Sequence, residues 1–242
     1  MALAQLQNGS FTAGTAVNTT NSQLNTTTKT LNNWTLIGGS SAIACLIPTA
    51  RPVAGSTPMC GTGYLNGSTT ATMTQAPPAS GAGSLPASYT GNILIGDAGD
   101  AIYQAGVSQT ISGLTAGLWY GLSFYYSGAQ QTGFVGTSQD YWKVSYGVDS
   151  THTTSTNTPQ INVPTSPGSP VWAQQTIFFK ATTSSEFISF LAQGNGSGQP
   201  PFMMLAGVTL AVPEPASLTF FGVGLTALLG AHLRRRRPAK TT

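Results

Sequence analysis

The sequence predicts an all-β fold, an antiparallel β-sandwich followed by a single C-terminal transmembrane helix. Three observations point there. Apolar and polar residues alternate along short segments between Ile102 and Val212. Nothing before Val212 repeats at a helical period. Finally, Ala216–Leu233 runs 18 residues without Asp, Glu, Lys or Arg, ahead of Arg234-Arg235-Arg236-Arg237.

In chain order, Ala2-Leu3-Ala4 fits the small-residue pattern that precedes signal-peptide cleavage. Residues 1–4 are therefore expected to be the remnant of a leader, with the mature chain starting near Gln5. Residues 5–211 are long enough for one large exported domain. A first strand is expected near Gln5–Phe11, and residues 14–30 and 66–90, rich in Thr, Asn, Gly and Pro, are expected to be long loops. Leu118, Tyr120, Leu122, Phe124 and Tyr126 alternate onto one face, with Trp119, Gly121, Ser123 and Tyr125 on the other. Trp142, Val144, Tyr146 and Val148 repeat the pattern. Val171–Ala181, Glu186–Gln193 and Met203–Val212 continue it, and turn clusters such as 113–117 and 193–201 separate the strands. Short strands at this spacing suit an antiparallel sandwich.

Charge and cysteines narrow the function. Charged residues make up 6% of the chain, against roughly 25% in an ordinary soluble protein. The net charge of +3 comes from the tail. Before Val212, Lys29, Arg51, Lys143 and Lys180 stand against Asp97, Asp100, Asp140, Asp149 and Glu186, a net of −1. Nucleic acid is not an expected partner, because that affinity needs several phosphate contacts. Cys45 and Cys60 are too far apart for a CxxC redox or zinc motif. In an oxidising compartment they are candidates to pair, and closing a loop of about 15 residues is worth about 3 kcal/mol on the chain-entropy account.

Catalysis is not expected, and no cofactor is implied. His152 is the one histidine before the tail, and no G-x-S-x-G elbow accompanies it. Nothing in the spacing of the five carboxylates selects a glycosidase pair. Gly96-Asp97-Ala98-Gly99-Asp100 reads as a turn. Asp97 and Asp100 there are a weak Ca²⁺ candidate, since two carboxylates are few for an ion that takes six to eight oxygens. Trp119, Tyr125 and Tyr141 lie opposite the expected core faces. Either they stack on sugars, or the loops of the first third cover them.

The tail is read as topology. Eighteen apolar residues are at the short end of what crosses a bilayer, and the arginines are expected on the cytoplasmic side. Two prolines keep Val212-Pro213-Glu214-Pro215 extended. The three-part order of Val212-Pro213-Glu214-Pro215-Ala216-Ser217, the apolar span 216–233 and the basic tail 234–242 resembles the PEP-CTERM sorting signal of Gram-negative bacteria. That resemblance implies an exosortase, a membrane-embedded cysteine transpeptidase, as the processing partner. It also implies residence in the inner membrane before processing, and association with exopolysaccharide. The domain itself resembles galactose-binding-like jelly rolls. Gln7-Asn8-Gly9-Ser10-Phe11, Val107–Ile111 with Gly113–Gly117, Trp172 with Phe178–Thr182, and Val208-Thr209-Leu210 carry that likeness. The chain departs from it at Ala206-Gly207, where the resembled proteins often carry an Asp-Asn or Asp-Asp pair just before the Val. A structural matrix protein and a carbohydrate-binding module are the two functional readings.

Overall fold

A computed structural model of the protein describes residues 5–16, 24, 28–48, 73–75, 82–131, 136–163, 171–196 and 201–213. The chain divides into two units, Met1–Ala211 and Val212–Thr242. The expected helix 216–233 and the leader remnant 1–4 lie outside the described residues.

Among the described residues the first unit is all-β. Its strands are β1 (Thr35–Gly38), β2 (Ala44–Pro48), β3 (Met73–Gln75), β4 (Asn92–Asp97), β5 (Ala105–Ser112) and β6 (Trp119–Gln131). They continue with β7 (Ser138–Gly147), β8 (Thr153–Asn157), β9 (Ile161–Val163), β10 (Ala173–Lys180), β11 (Ser185–Gly196) and β12 (Pro201–Ala211). One sheet runs β1-β5-β11-β7-β8, with β9 also on β7; the other runs β10-β6-β12-β4-β2, with β3 on β6. Every pairing is antiparallel. From β4 to β7, and again from β10 to β12, consecutive strands switch sheets. This is the connectivity of a jelly-roll-like sandwich.

Alternation builds the core between the sheets. Tyr120, Leu122, Phe124 and Tyr126 of β6 face Trp142 and Val144 of β7 and Phe190 of β11. Phe190 is the hub. Its ring stands edge-on to Phe124 at 5.0 Å and to Trp142 at 6.3 Å, and tilted to Trp34 at 6.3 Å. Such pairs add about 0.5–1.5 kcal/mol each beyond the area they bury. A buried indole N–H must find an acceptor. Trp142 Nε1 donates across the sandwich to the Met204 carbonyl at 3.0 Å, and Trp34 Nε1 donates to the Asn8 carbonyl at 3.0 Å. Leu118 and Val148, expected on the core faces, lie at strand ends and are exposed.

A second apolar layer covers part of the outer face of the β10-β6-β12-β4-β2 sheet. Ile43, Cys45, Ile47, Ile93, Ile95, Phe202 and Met204 belong to it, with Leu85, Tyr89 and Tyr125 packed against them. All six residues of β4 are therefore buried. A strand buried on both faces shows no alternation, so Asn92–Asp97 carries no period-2 signal in the sequence. The Tyr89 hydroxyl donates to the Asn92 carbonyl at 2.5 Å, and burial pushes that phenol up to about 12.

The N-terminal segment is a correction. Gln5–Phe11 is not a strand: Gln5 makes one isolated bridge to Ser112, and on that edge of β5 the ladder partner of Ala105–Ser108 is β1. Gln7 is held by a side chain instead. Its N–H donates to Gln109 Oε1 at 2.9 Å, and Gln109 Nε2 donates back to the Gln7 carbonyl at 2.8 Å. Asn8 then closes the turn, accepting from the Thr12 and Ala13 amides and donating to the Ala13 and Asn32 carbonyls. The turn docks on β12 through Val208 N–H to the Gly9 carbonyl at 3.0 Å. Beside it, β12 is bulged between Ala206 and Thr209, and Gly207 has φ of +60°. This position, where the resembled jelly rolls often carry polar residues, is thus filled by a left-handed glycine and a buried alanine.

A Cβ on residue 9 would lie 1.9 Å from the Val208 carbonyl oxygen. Gly9→Ala is therefore expected to cost about 1–3 kcal/mol, the usual penalty for forcing packed backbone apart. A lowered urea midpoint at unchanged m-value is the expected reading. An unchanged midpoint would show that the turn is not docked on β12.

Candidate functional site

Among the described residues, the most exposed aromatic rings lie on the outer face of the β10-β6 ribbon. Trp119 is 55% exposed and Phe178 56%. The register sets Lys180 opposite Trp119, Phe178 opposite Gly121, and Thr176 opposite Ser123. Trp119 and Phe178 are thus diagonal neighbours, a relation that places side chains roughly 7–8 Å apart. Gly121 gives the Phe178 ring its seat, since a Cβ there would meet Phe178 Cε1 at 3.2 Å. Hydroxyls border the rings: Ser123 and Thr176 hydrogen-bond to each other at 2.8 Å, and exposed Thr209 pairs with Ser123 from the β12 side. Two flat apolar surfaces bordered by hydroxyls and one lysine suit the C–H face of a sugar ring. Sequence reasoning missed Phe178 because Ile177-Phe178-Phe179 is continuously apolar. Counting by twos from Phe179 would have put Phe178 on the outer face.

The other aromatic candidates are elsewhere. Tyr125 shares the outer face of β6 but packs into the second apolar layer. Tyr141 is on β7, in the opposite sheet. The three residues Trp119, Tyr125 and Tyr141 therefore do not form one surface. A pocket of about 160 Å³ lined by Leu24, Lys29, Leu31, Trp34 and Leu36 is small beside the roughly 300–1,000 Å³ of typical ligand sites.

The remaining candidates fall as follows. Cys45 is fully buried and disulfide-bonded; Cys60 lies outside the described residues. Val212 and Pro213 follow β12 directly; Glu214, Pro215 and Arg234–Arg237 lie outside the described residues. His152 occupies an exposed turn with Asp149, Nδ1 to Oδ2 at 3.0 Å. Asp149 Oδ1 also accepts from the Thr151 amide and hydroxyl and from the His152 amide. The Thr151 hydroxyl, then His152, holds the Asp149 carboxyl well below its usual range. The arrangement is that of an Asx-type turn.

The carboxylates hold the main electrostatic feature. Asp97 is 2% exposed, and its Oδ1 accepts from the Gly99 amide at 2.7 Å. Asp100 is exposed. The pair is therefore split, one carboxylate inside and one in water. A residue not singled out by sequence, Asp140 of β7, is wholly buried. It accepts from the Ser138 hydroxyl at 2.9 Å on Oδ2, while Oδ1 has no hydrogen-bond partner. Burial pushes Asp140 up to about 8, with a smaller push from Asp97, and pushes Asp97 up to about 6. Among the described residues no group of three or more His, Cys, Asp or Glu is placed to hold a metal ion.

Residues 211–237 match the PEP-CTERM protein-sorting motif. The chain therefore carries that signal, beginning at the last residue of β12. No curated protein matches the sequence. Among solved structures, the chain is similar to TmCBM61 in complex with β-1,4-galactotriose, with a TM-score of 0.42 at 10% identity over 88% of this chain and 100% of that one. It is similar to the cleaved adhesin domain of Lys-gingipain, with a TM-score of 0.44 at 13% identity over 83% and 97%. It is also similar to the enzymatically active domain of bacteriophage CBA120 tailspike protein 4, with a TM-score of 0.42 at 11% identity, covering 87% of this chain and 22% of the tailspike chain. These likenesses concern the β-sandwich architecture alone.

The buried acids set a direction for pH. A carboxyl whose folded pKa is raised favours folding fully below its unfolded pKa, near 3.8, and loses that contribution as pH rises through the folded value. Asp149, shifted the other way, acts only in more acidic solution. In EDTA, the urea midpoint is expected to fall from about pH 5 to about pH 9, and Asp140→Asn to flatten most of that slope. A midpoint that rises with pH over this range would refute the assignment.

Proposed function

We propose that this protein is an exosortase substrate. It is exported, held in the inner membrane by residues 216–233 with Arg234–Arg237 on the cytoplasmic side, and then sorted to the cell surface or extracellular matrix. There the sandwich serves a structural, exopolysaccharide-associated role without catalysis. The observation that carries this reading is the PEP-CTERM sorting motif over residues 211–237, which starts where β12 ends. Two features support it. Disulfide-bonded Cys45 fits an oxidising compartment, and a nearly uncharged domain with a basic tail fits the positive-inside bias. Replacing Pro213, Glu214 and Pro215 with Ala is expected to leave an uncut precursor in the membrane fraction while wild type is processed. Equal processing of both would overturn the reading.

A second reading adds glycan binding to the same placement. The exposure of Trp119 and Phe178 on adjacent strands favours it, because rings left in water at a sheet face are ready to lose that water to a ligand. The double variant Trp119→Ala, Phe178→Ala is expected to weaken retention on the cell's own exopolysaccharide at least about tenfold, a change of about 1.4 kcal/mol. Tyr141→Ala, on the opposite sheet, is expected to leave retention unchanged. Full retention by the double variant would leave the sandwich a structural role alone.

A further inference from the structure

The end of the sandwich at which β12 stops gathers exposed apolar side chains. β12 runs antiparallel to β6, and its last residue, Ala211, is the ladder partner of Gly121. The strand is heading there toward Trp119, two residues farther along β6 and roughly 7 Å away. Lys180, the last residue of β10, is the partner of Trp119, and Phe178 precedes it by two. Leu118 belongs to the same end, because its carbonyl accepts from the Ala181 amide at 2.9 Å. In the facing sheet, β11 starts there after the turn 181–184; its Phe187 is the ladder partner of Gly147, and Val148 follows β7.

Leu118, Trp119, Val148 and Phe178 are all exposed. Among the described residues up to Ala211, the other exposed large apolar side chains are Ile102, Tyr103 and Val171. These precede β5 and β10, two strands that run toward the β12 end, so they lie at the opposite end. Charge at the β12 end is sparse. The turns 113–117 and 181–184 carry none. Asp149 is paired with His152, and Glu186 is buried and accepts from Thr182 and Thr183. Lys180 is exposed and makes no ion pair among the described residues.

An exposed apolar cluster marks a contact surface, and the length of chain beyond β12 says what meets this one. Four residues, 212–215, separate Ala211 from the apolar span that starts at Ala216. Fully extended, the five steps from Ala211 to Ala216 reach at most about 18 Å. The headgroup layer takes up about 5–8 Å of that reach. With the span in the bilayer, this end of the sandwich is held close to the lipid surface. Tryptophan suits the headgroup level, and a lysine can lay its stem on apolar groups while its ammonium meets phosphate.

We propose that, while the tail is uncut, Leu118, Trp119 and Phe178 rest in the headgroup layer of the outer leaflet of the inner membrane, with Lys180 on lipid phosphates. The partner is a phospholipid surface, and the inference rests on the anchoring of residues 216–233 proposed above. Its consequence is that the rings are covered in the precursor and open to another ligand only after processing.

Tryptophan emission of the uncut full chain tests this. Of its four tryptophans, Trp34, Trp142 and Trp172 are buried and Trp119 is exposed; residues 216–233 contain none. The protein is reconstituted into vesicles of phosphatidylethanolamine and phosphatidylglycerol, with or without phospholipid brominated near the headgroup end of its chains, and floated on a density gradient. Bromine quenches only at close range. Floated wild type is expected to lose roughly the share of one tryptophan in four to the brominated lipid. Trp119→Phe is expected to float equally and to lose none. Protein that does not float would overturn the anchoring and this contact with it. Floated protein whose emission ignores bromine, with Trp119 open to iodide, would overturn the contact alone. Equal quenching in Trp119→Phe would also overturn it, by placing the lipid contact elsewhere.

Discussion

Burial of β4 and the first half of β12 on both faces is the constraint on which the rest of the fold depends. Leu94, Met203 and Leu205 face the inner core, while Ile93, Ile95, Phe202 and Met204 face the second layer. A sheet dry on both sides over half its width cannot rely on its own strands to exclude water. Leu85, Tyr89 and Trp172, on segments outside the strands, close the outer side. Where this cover stops, the outer face opens to solvent. Tyr125 lies on the covered part, and Trp119 and Phe178 on the open part. The aromatic surface is thus a consequence of how far the second layer extends.

The same sandwich contrasts two ways of burying polarity. Trp142 and Trp34 each bring one N–H into the core and satisfy it on a backbone carbonyl of a distant segment, which fixes the position of one segment against the other. Two residues before Trp142, Asp140 brings in a carboxylate that is only half satisfied. Burial raises its pKa to about 8, so protonation relieves it up to neutral pH. That response follows from placing a short acidic side chain between two glycines.

Much of the architecture was legible where one face of a strand meets water. Alternation in β6, β7 and β10 identified those strands and the core rings Tyr120, Phe124 and Trp142. The same rule fails for β4, whose pattern is continuous because neither face is wet. It also fails for Gln5–Phe11, where a side chain, Gln109, supplies the pairing that a strand would have made. Site residues were harder. Phe178 hides in an apolar triplet, and Asp140 is one of five acids before the tail with nothing local to mark it. Yet Asp140 shares the parity of Trp142 and Val144, so its inward direction was readable once β7 was recognised. The tail needed no fold, because its order of prolines, apolar span and arginines is itself the signal.

The central claim is that the sorting tail keeps the sandwich on the far side of the inner membrane. It is tested most directly by labelling spheroplasts that carry an unprocessed form with a membrane-impermeant amine reagent, then mapping the modified lysines. Lys143 and Lys180 are exposed on the sandwich, and Lys240 follows the arginine block. The account predicts modification of Lys143 and Lys180 with Lys240 protected until the cells are lysed. Labelled Lys240 beside protected Lys143 and Lys180 would contradict it.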